Sequence, residues 1–143
     1  MDYCSVEDLL GQVPREKLVD LSNDVEPVTD ANGDPVLNML TIDLAIANAG
    51  SEIEGYISAR YPVPLSSVPP IIRKLAVDIA VYNLFSRKWS VEEDNNLARR
   101  YKNAVALLQR IAEGKVLLGV SENNILYSAP AKSFGSRFRQ EYD

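Results

Sequence analysis

Histidine is missing from all 143 residues, and with it go the imidazole bases, nucleophiles and metal ligands on which most hydrolase and zinc chemistry rests. The single cysteine, Cys4, has no partner in the chain, so no internal disulfide forms and a reducing compartment is expected. There is no glycine-rich phosphate loop, no nucleophile elbow and no Cys-x-x-Cys. Carboxylates do come in neighbours, Glu52 with Glu54 and Glu92 with Glu93, but residues one or two positions apart do not share a helix face. The expectation is therefore no catalytic residue, no metal, no cofactor and no enzyme. Long apolar runs are lacking too: none approaches the ~20 residues that span a bilayer. Met1-Asp2-Tyr3-Cys4-Ser5 carries neither a basic nor an apolar leader region, so a soluble, intracellular protein without a membrane partner is expected.

What is present suits one globular domain, with 46% hydrophobic and 24% charged residues. A chain of this size buries roughly 70% of its unfolded surface, so it needs no staples. The charge is segregated along the chain. Residues 1–59 set twelve acidic side chains against Arg15 and Lys17, residues 60–115 set ten basic against five acidic, and residues 116–143 balance at three each. An acidic front and a basic middle suit head-to-tail contacts between identical copies.

Helix signals recur along residues 1–119. Ser5 with Asp8 ahead of Leu9 and Leu10 reads as a capping box, and Pro14 opens a second short turn through Leu18 and Leu21. Residues 22–37 carry turn residues at almost every position. Asp30, Asn32 and Asp34 alternate as in a calcium loop, but Pro35 and Thr41 stand where that loop needs Gly and Glu, so a surface turn is expected. Thr41 is read as the N-cap of a long helix with Ile42, Ile46, Ala49, Ile53, Tyr56 or Ile57, and Arg60 on one face, and Asp43, Ala47, Gly50, Glu54 and Ser58 on the other. Its small residues Ala45, Ala47, Ala49 and Gly50 leave room for another backbone.

Arg60-Tyr61-Pro62 ends that helix, and an extended stretch leads to Pro69 and Pro70 at the start of the next. From Ile71 to Phe85 that helix is apolar nearly all round, which places it in the centre of a bundle or under another chain. Lys74 and Asp78, one turn apart, are expected to pair. Ser90 and Glu93 open a last long helix, with Leu97, Tyr101, Ala104, Leu108 and Ile111 inward and Gly114 at its end.

The fold expected is mainly α: a small bundle of three long helices plus short N-terminal helices in residues 1–119, and an extended C-terminal docking tail, 120–143, with room for a short strand or hairpin. That tail lacks a core of its own yet holds Ile125, Leu126, Tyr127, Phe134, Phe138 and Tyr142. Phe134, Arg137, Phe138, Arg139 and Tyr142, together with Arg87, Lys88 and Trp89, are the expected interface residues. Basic residues such as Arg73, Arg99, Arg100 and Lys102 are spread around two helices in an acidic chain, which argues against direct reading of DNA sequence. A small helical regulator that binds DNA or protein as a dimer is the competing class.

Several segments resemble a family of tailed-phage virion proteins found in Mu-like phages and prophages. They are Tyr3-Cys4 with Glu7-Asp8-Leu9, and Glu52-Ile53-Glu54-Gly55-Tyr56 running on to Arg60-Tyr61-Pro62-Val63-Pro64-Leu65. Leu75 with Asp78-Ile79-Ala80 and Tyr82, Arg100-Tyr101-Lys102-Asn103-Ala104, and Ile111 to Val116 complete the pattern. The resemblance implies a head-completion adaptor between the head and the tail, assembling as a ring of about a dozen copies. Its implied partners are other copies of itself, the portal protein and tail-side connector proteins, with DNA only as cargo through the lumen. It would reside in the virion, and in the host cytoplasm during assembly.

Overall fold

A computed structural model of the chain describes residues 1–88 and 95–121. Ser5 begins it as expected: its hydroxyl accepts from the Asp8 N–H at 3.3 Å and the Asp8 carboxylate accepts from the Ser5 N–H at 2.9 Å, closing the capping box of α1 (Val6–Leu10). Pro14 lies one place earlier than expected, as the N-cap of α2 (Arg15–Ser22). Helix α3 (Met39–Ile57) is capped by Asn38, whose side chain accepts from the Thr41 N–H at 3.4 Å. Thr41 is thus a first-turn residue and not the cap, because Asn38 offers the same side-chain acceptor three residues earlier.

Helix α4 (Pro70–Ser86) opens with Pro69 and Pro70 where missing N–H groups do no harm, and α5 covers Asn95–Ala112. The start of α5 at Ser90 and Glu93 lies outside the described residues. Helices α3, α4 and α5 pack on one another to form the core, while α1 and α2 lie against α4 and α2 also touches α3. The protein is thus mainly helical; among the described residues the only β feature is the isolated bridge between Thr29 and Pro35.

The all-round apolar character of α4 is explained inside the chain. Ile72, Leu75, Ala76, Ile79, Ala80 and Leu84 are fully or almost fully buried because α1, α2, α3 and α5 surround it. Of the two settings the sequence allowed for this helix, the structure has the centre of the bundle. Gly50 departs from its expected outward place: it is buried, and a Cβ there would lie 2.1 Å from the Met1 carbonyl oxygen. The close approach predicted from the small residues is made by the N-terminal strand of chain.

Segment 62–69 bends instead of running straight, with a cis Val63–Pro64 peptide. Gly114, at φ 82°, reverses the chain after α5, and the Lys115 N–H reaches back to the Arg110 carbonyl at 2.9 Å. A side chain at Gly114 would strike the Arg60 guanidinium, 2.7 Å from its Cζ.

Candidate interaction surface

Three tyrosines tie the C-terminal half of α3 to its surroundings. Tyr3, buried, donates to Glu54 at 2.5 Å and accepts from the Leu65 N–H at 3.1 Å, joining the N-terminus, α3 and the bent segment through one hydroxyl. Burial, reinforced by Glu54, pushes its phenol up to about 12. Tyr61, also buried, accepts from the Leu118 N–H at 3.0 Å and so holds the chain that follows α5. Tyr101 of α5 donates to Glu52 at 2.8 Å and stacks on Tyr82 with 4.2 Å between ring centroids. Its hydrogen bond to Glu52, together with burial, raises it to about 12 as well. Cys4, buried beside Tyr3, is raised to about 12 by desolvation. These groups are matched internally and hold the fold.

A groove of about 340 Å³ lies between α1 and the first half of α4, with Arg100 of α5 also lining it. Pro70 and Val77 give it apolar lining, and Arg73, Lys74 and Arg100 line it with positive charge. Beneath them sits Asp78, 4% exposed, which accepts from Lys74 at 2.9 Å and from both Nε and Nη2 of Arg100 at 3.1 and 2.7 Å. The expected Lys74–Asp78 pair is present; the Arg100 partner comes from α5 and no local spacing announces it. Asp78 is buried, and its charge is matched twice over.

At the other end of α4, α2 and loop 23–37 present Glu16, Asp20, Asp24, Glu26, Asp30 and Asp34. The loop is built, not slack. Asn23, buried, donates to the carbonyls of Val19 and Val36 at 2.9 and 2.7 Å and accepts from the Val28 N–H at 3.0 Å. Asp30 accepts from the N–H groups of Asn32 and Asp34, and Gly33 sits at φ 85°, so the alternating acids make the surface turn expected of them. Val25 stands 98% exposed between Asp24 and Glu26.

Of the expected interface residues, Arg87 and Lys88 are described and stand beside this acidic loop. Arg87 donates to the Leu21 carbonyl at 2.9 Å and makes a bidentate pair with Asp24, also at 2.9 Å, so its guanidinium clamps α4 to the end of α2. Lys88 lines a hollow shared with Asp24 and Val25. Trp89, Phe134, Arg137, Phe138, Arg139 and Tyr142 lie outside the described residues, as does the tail's expected strand or hairpin. The sequence reading also passed over an exposed apolar pair on α3, Leu40 at 85% and Leu44 at 61%. The helical wheel that turns Ile42 and Ile46 inward leaves these two outside, and that was the available signal.

The segments now placed around α3 and α5 match a known family sequence pattern over residues 3–135, that of bacteriophage Mu, Gp36. The chain belongs to the phage Mu Gp36 family. Among Gp36-like relatives, Gene product J of Escherichia phage Mu is 28% identical over 120 residues, which cover 84% of this chain and 78% of that protein. Mu-like prophage FluMu protein gp36 of Haemophilus influenzae is 25% identical over 88 residues, 62% of this chain and 60% of that protein. The most specific piece of the resemblance, Gly55-Tyr56 with Arg60 to Leu65, carries Tyr61 and the Leu65 N–H that Tyr3 accepts, and Glu52 and Glu54 just ahead of it receive Tyr101 and Tyr3. Those residues are explained by holding three chain segments together.

Proposed function

We propose that this member of the Gp36 family is a structural virion component that joins the phage head, at its portal, to the tail, acting as a ring-forming adaptor with DNA passing only through the lumen. The observation that carries the reading is membership of a phage Mu family over nearly the whole chain. Two features of the protomer support it. Its acidic and cationic surfaces sit at different ends of α4, an arrangement suited to heterologous contacts, which close into rings when the rotation permits. Its sequence beyond residue 121 adds Phe134, Phe138 and Tyr142, large apolars of the kind that anchor contacts between chains.

The test is genetic and visual. Removing the gene from the phage or prophage that carries it should leave filled heads and finished tails side by side but unjoined in electron micrographs. Normal particles, or a failure to build heads at all, overturn the reading. A dimer that binds DNA with an affinity falling steeply with salt supports the regulator instead.

A further inference from the structure

We propose that the groove between α1 and α4 receives the acidic loop around Val25 of a second copy, in a head-to-tail contact. The inference rests on the ring-forming reading above and names the two surfaces it would use.

The surfaces are complementary in kind. The groove is lined by the apolar Pro70 and Val77 and by the cations Arg73, Lys74 and Arg100. The loop has an apolar tip, Val25, almost wholly exposed between the acids Asp24 and Glu26. Arg73 is exposed, and no carboxylate of a described residue lies within 4 Å of it. Lys74 and Arg100 share the single carboxylate of Asp78, so with Arg73 and Asp8 the lining sets three cations against two carboxylates and carries one net positive charge.

The two surfaces cannot meet within one chain. Asp24 is clamped by Arg87 at the end of α4, and Lys74 lies thirteen residues earlier on the same helix. At 1.5 Å per residue that is about 20 Å of rigid helix between them. Contact therefore requires another copy, and because it joins two different surfaces it is heterologous, the geometry of a ring or a filament. The loop needs little ordering on docking: Asn23 fixes its base and Asp30 its turn, so association loses less conformational freedom than a slack loop would lose.

The experiment uses the full chain and two variants changed only at exposed positions, Arg73→Glu and the pair Val25→Lys with Glu26→Lys. Sedimentation velocity at low ionic strength should show the parent self-associating, more weakly as salt is added. Each variant should keep its helical circular dichroism and lose self-association, with a dissociation constant raised by about tenfold or more. Mixed together they should form a 1:1 pair that grows no further, since each retains the surface the other lacks. Combining Arg73→Glu with Glu26→Lys in one chain should restore association. A parent that stays monomeric up to its solubility limit, variants that associate like the parent, or a mixture that does not pair each overturns the loop-in-groove contact. Particles still joined head to tail when built with the Val25→Lys, Glu26→Lys chain overturn the contact and leave the adaptor reading standing. Unjoined heads and tails upon removal of the gene are required by the adaptor reading alone, so the two fail separately.

Discussion

The two ends of α3 differ sharply in what surrounds them. The C-terminal half is held by Glu52 and Glu54, by the buried Ile53 and Ile57, and by Gly50 under the Met1 carbonyl, so that the N-terminus, the bent segment and α5 are all tied to it. At the N-terminal half, Leu40 and Leu44 face solvent although Ile42 and Ile46 beside them are buried. The lesson is that residues carrying a family resemblance need not mark a functional site. Here many of them mark the most interlocked part of the core, while the acidic loop 23–37 and the exposed Leu40 and Leu44 lie outside the resembling segments.

Substitutions should separate the two ends clearly. Tyr61→Ala removes a buried aromatic ring and the acceptor for Leu118, and should cost about 3–5 kcal/mol in chemical denaturation. Gly50→Ala forces a methyl group against backbone at Met1 and should cost about 1–3 kcal/mol unless the N-terminus detaches. Detachment would show as fast alkylation of Cys4, which otherwise reacts slowly because it is buried and protonated. Tyr61→Phe keeps the ring but leaves the Leu118 N–H without its acceptor, for a loss of about 1 kcal/mol.

The same end predicts an alkaline limit. Tyr3 and Tyr101 are raised to about 12 in the folded protein from an ordinary value of 10.0, so folding favours their protonated forms. That stability is whole below pH 10 and is lost as pH rises from there to about 12. Cys4, raised to about 12 from an ordinary 9.0, adds its own loss from about pH 9, so denaturation midpoints should fall as pH rises from about 9 to about 12, and Tyr3→Phe should lessen the fall above pH 10. The smallest effect belongs to the open end: Leu40→Ser and Leu44→Ser should each change stability by no more than about 0.5 kcal/mol, since neither side chain is buried. A loss near 2 kcal/mol there would erase the distinction between the ends.

Much of this was legible in the residues, and the exceptions have physical causes. Periodicity located the inward faces of α3, α4 and α5, because burying an apolar stripe is a local pattern with a period of 3.6 residues. The capping box at Ser5 and the Lys74–Asp78 pair were legible because their partners lie within one turn. The cap at Asn38 was misplaced because Asn38 and Thr41 are both good caps, and only the folded chain chooses between them. What sequence could not supply were pairings across tens of residues: Tyr3 with Leu65, Tyr61 with Leu118, Arg100 with Asp78, Arg87 with Asp24.

One of those pairings alters the reading of charge. The acidic front and basic middle were expected to attract between copies, yet Arg87 and Asp24 spend part of that attraction inside the chain. The apolar excess of α4 is likewise absorbed within the protomer. Among the described residues, the association proposed above therefore rests on smaller and more local surfaces, the groove beside Arg73 and the loop around Val25.

Amide hydrogen exchange of the full chain, dilute and then concentrated at low ionic strength, tests this division most directly. The account predicts added protection in loop 23–37 and along 70–78 upon association, with the N–H groups of Leu65 and Leu118 slow and unchanged throughout. Protection gained around Leu65 and Leu118, with none at Val25 or Arg73, would contradict it.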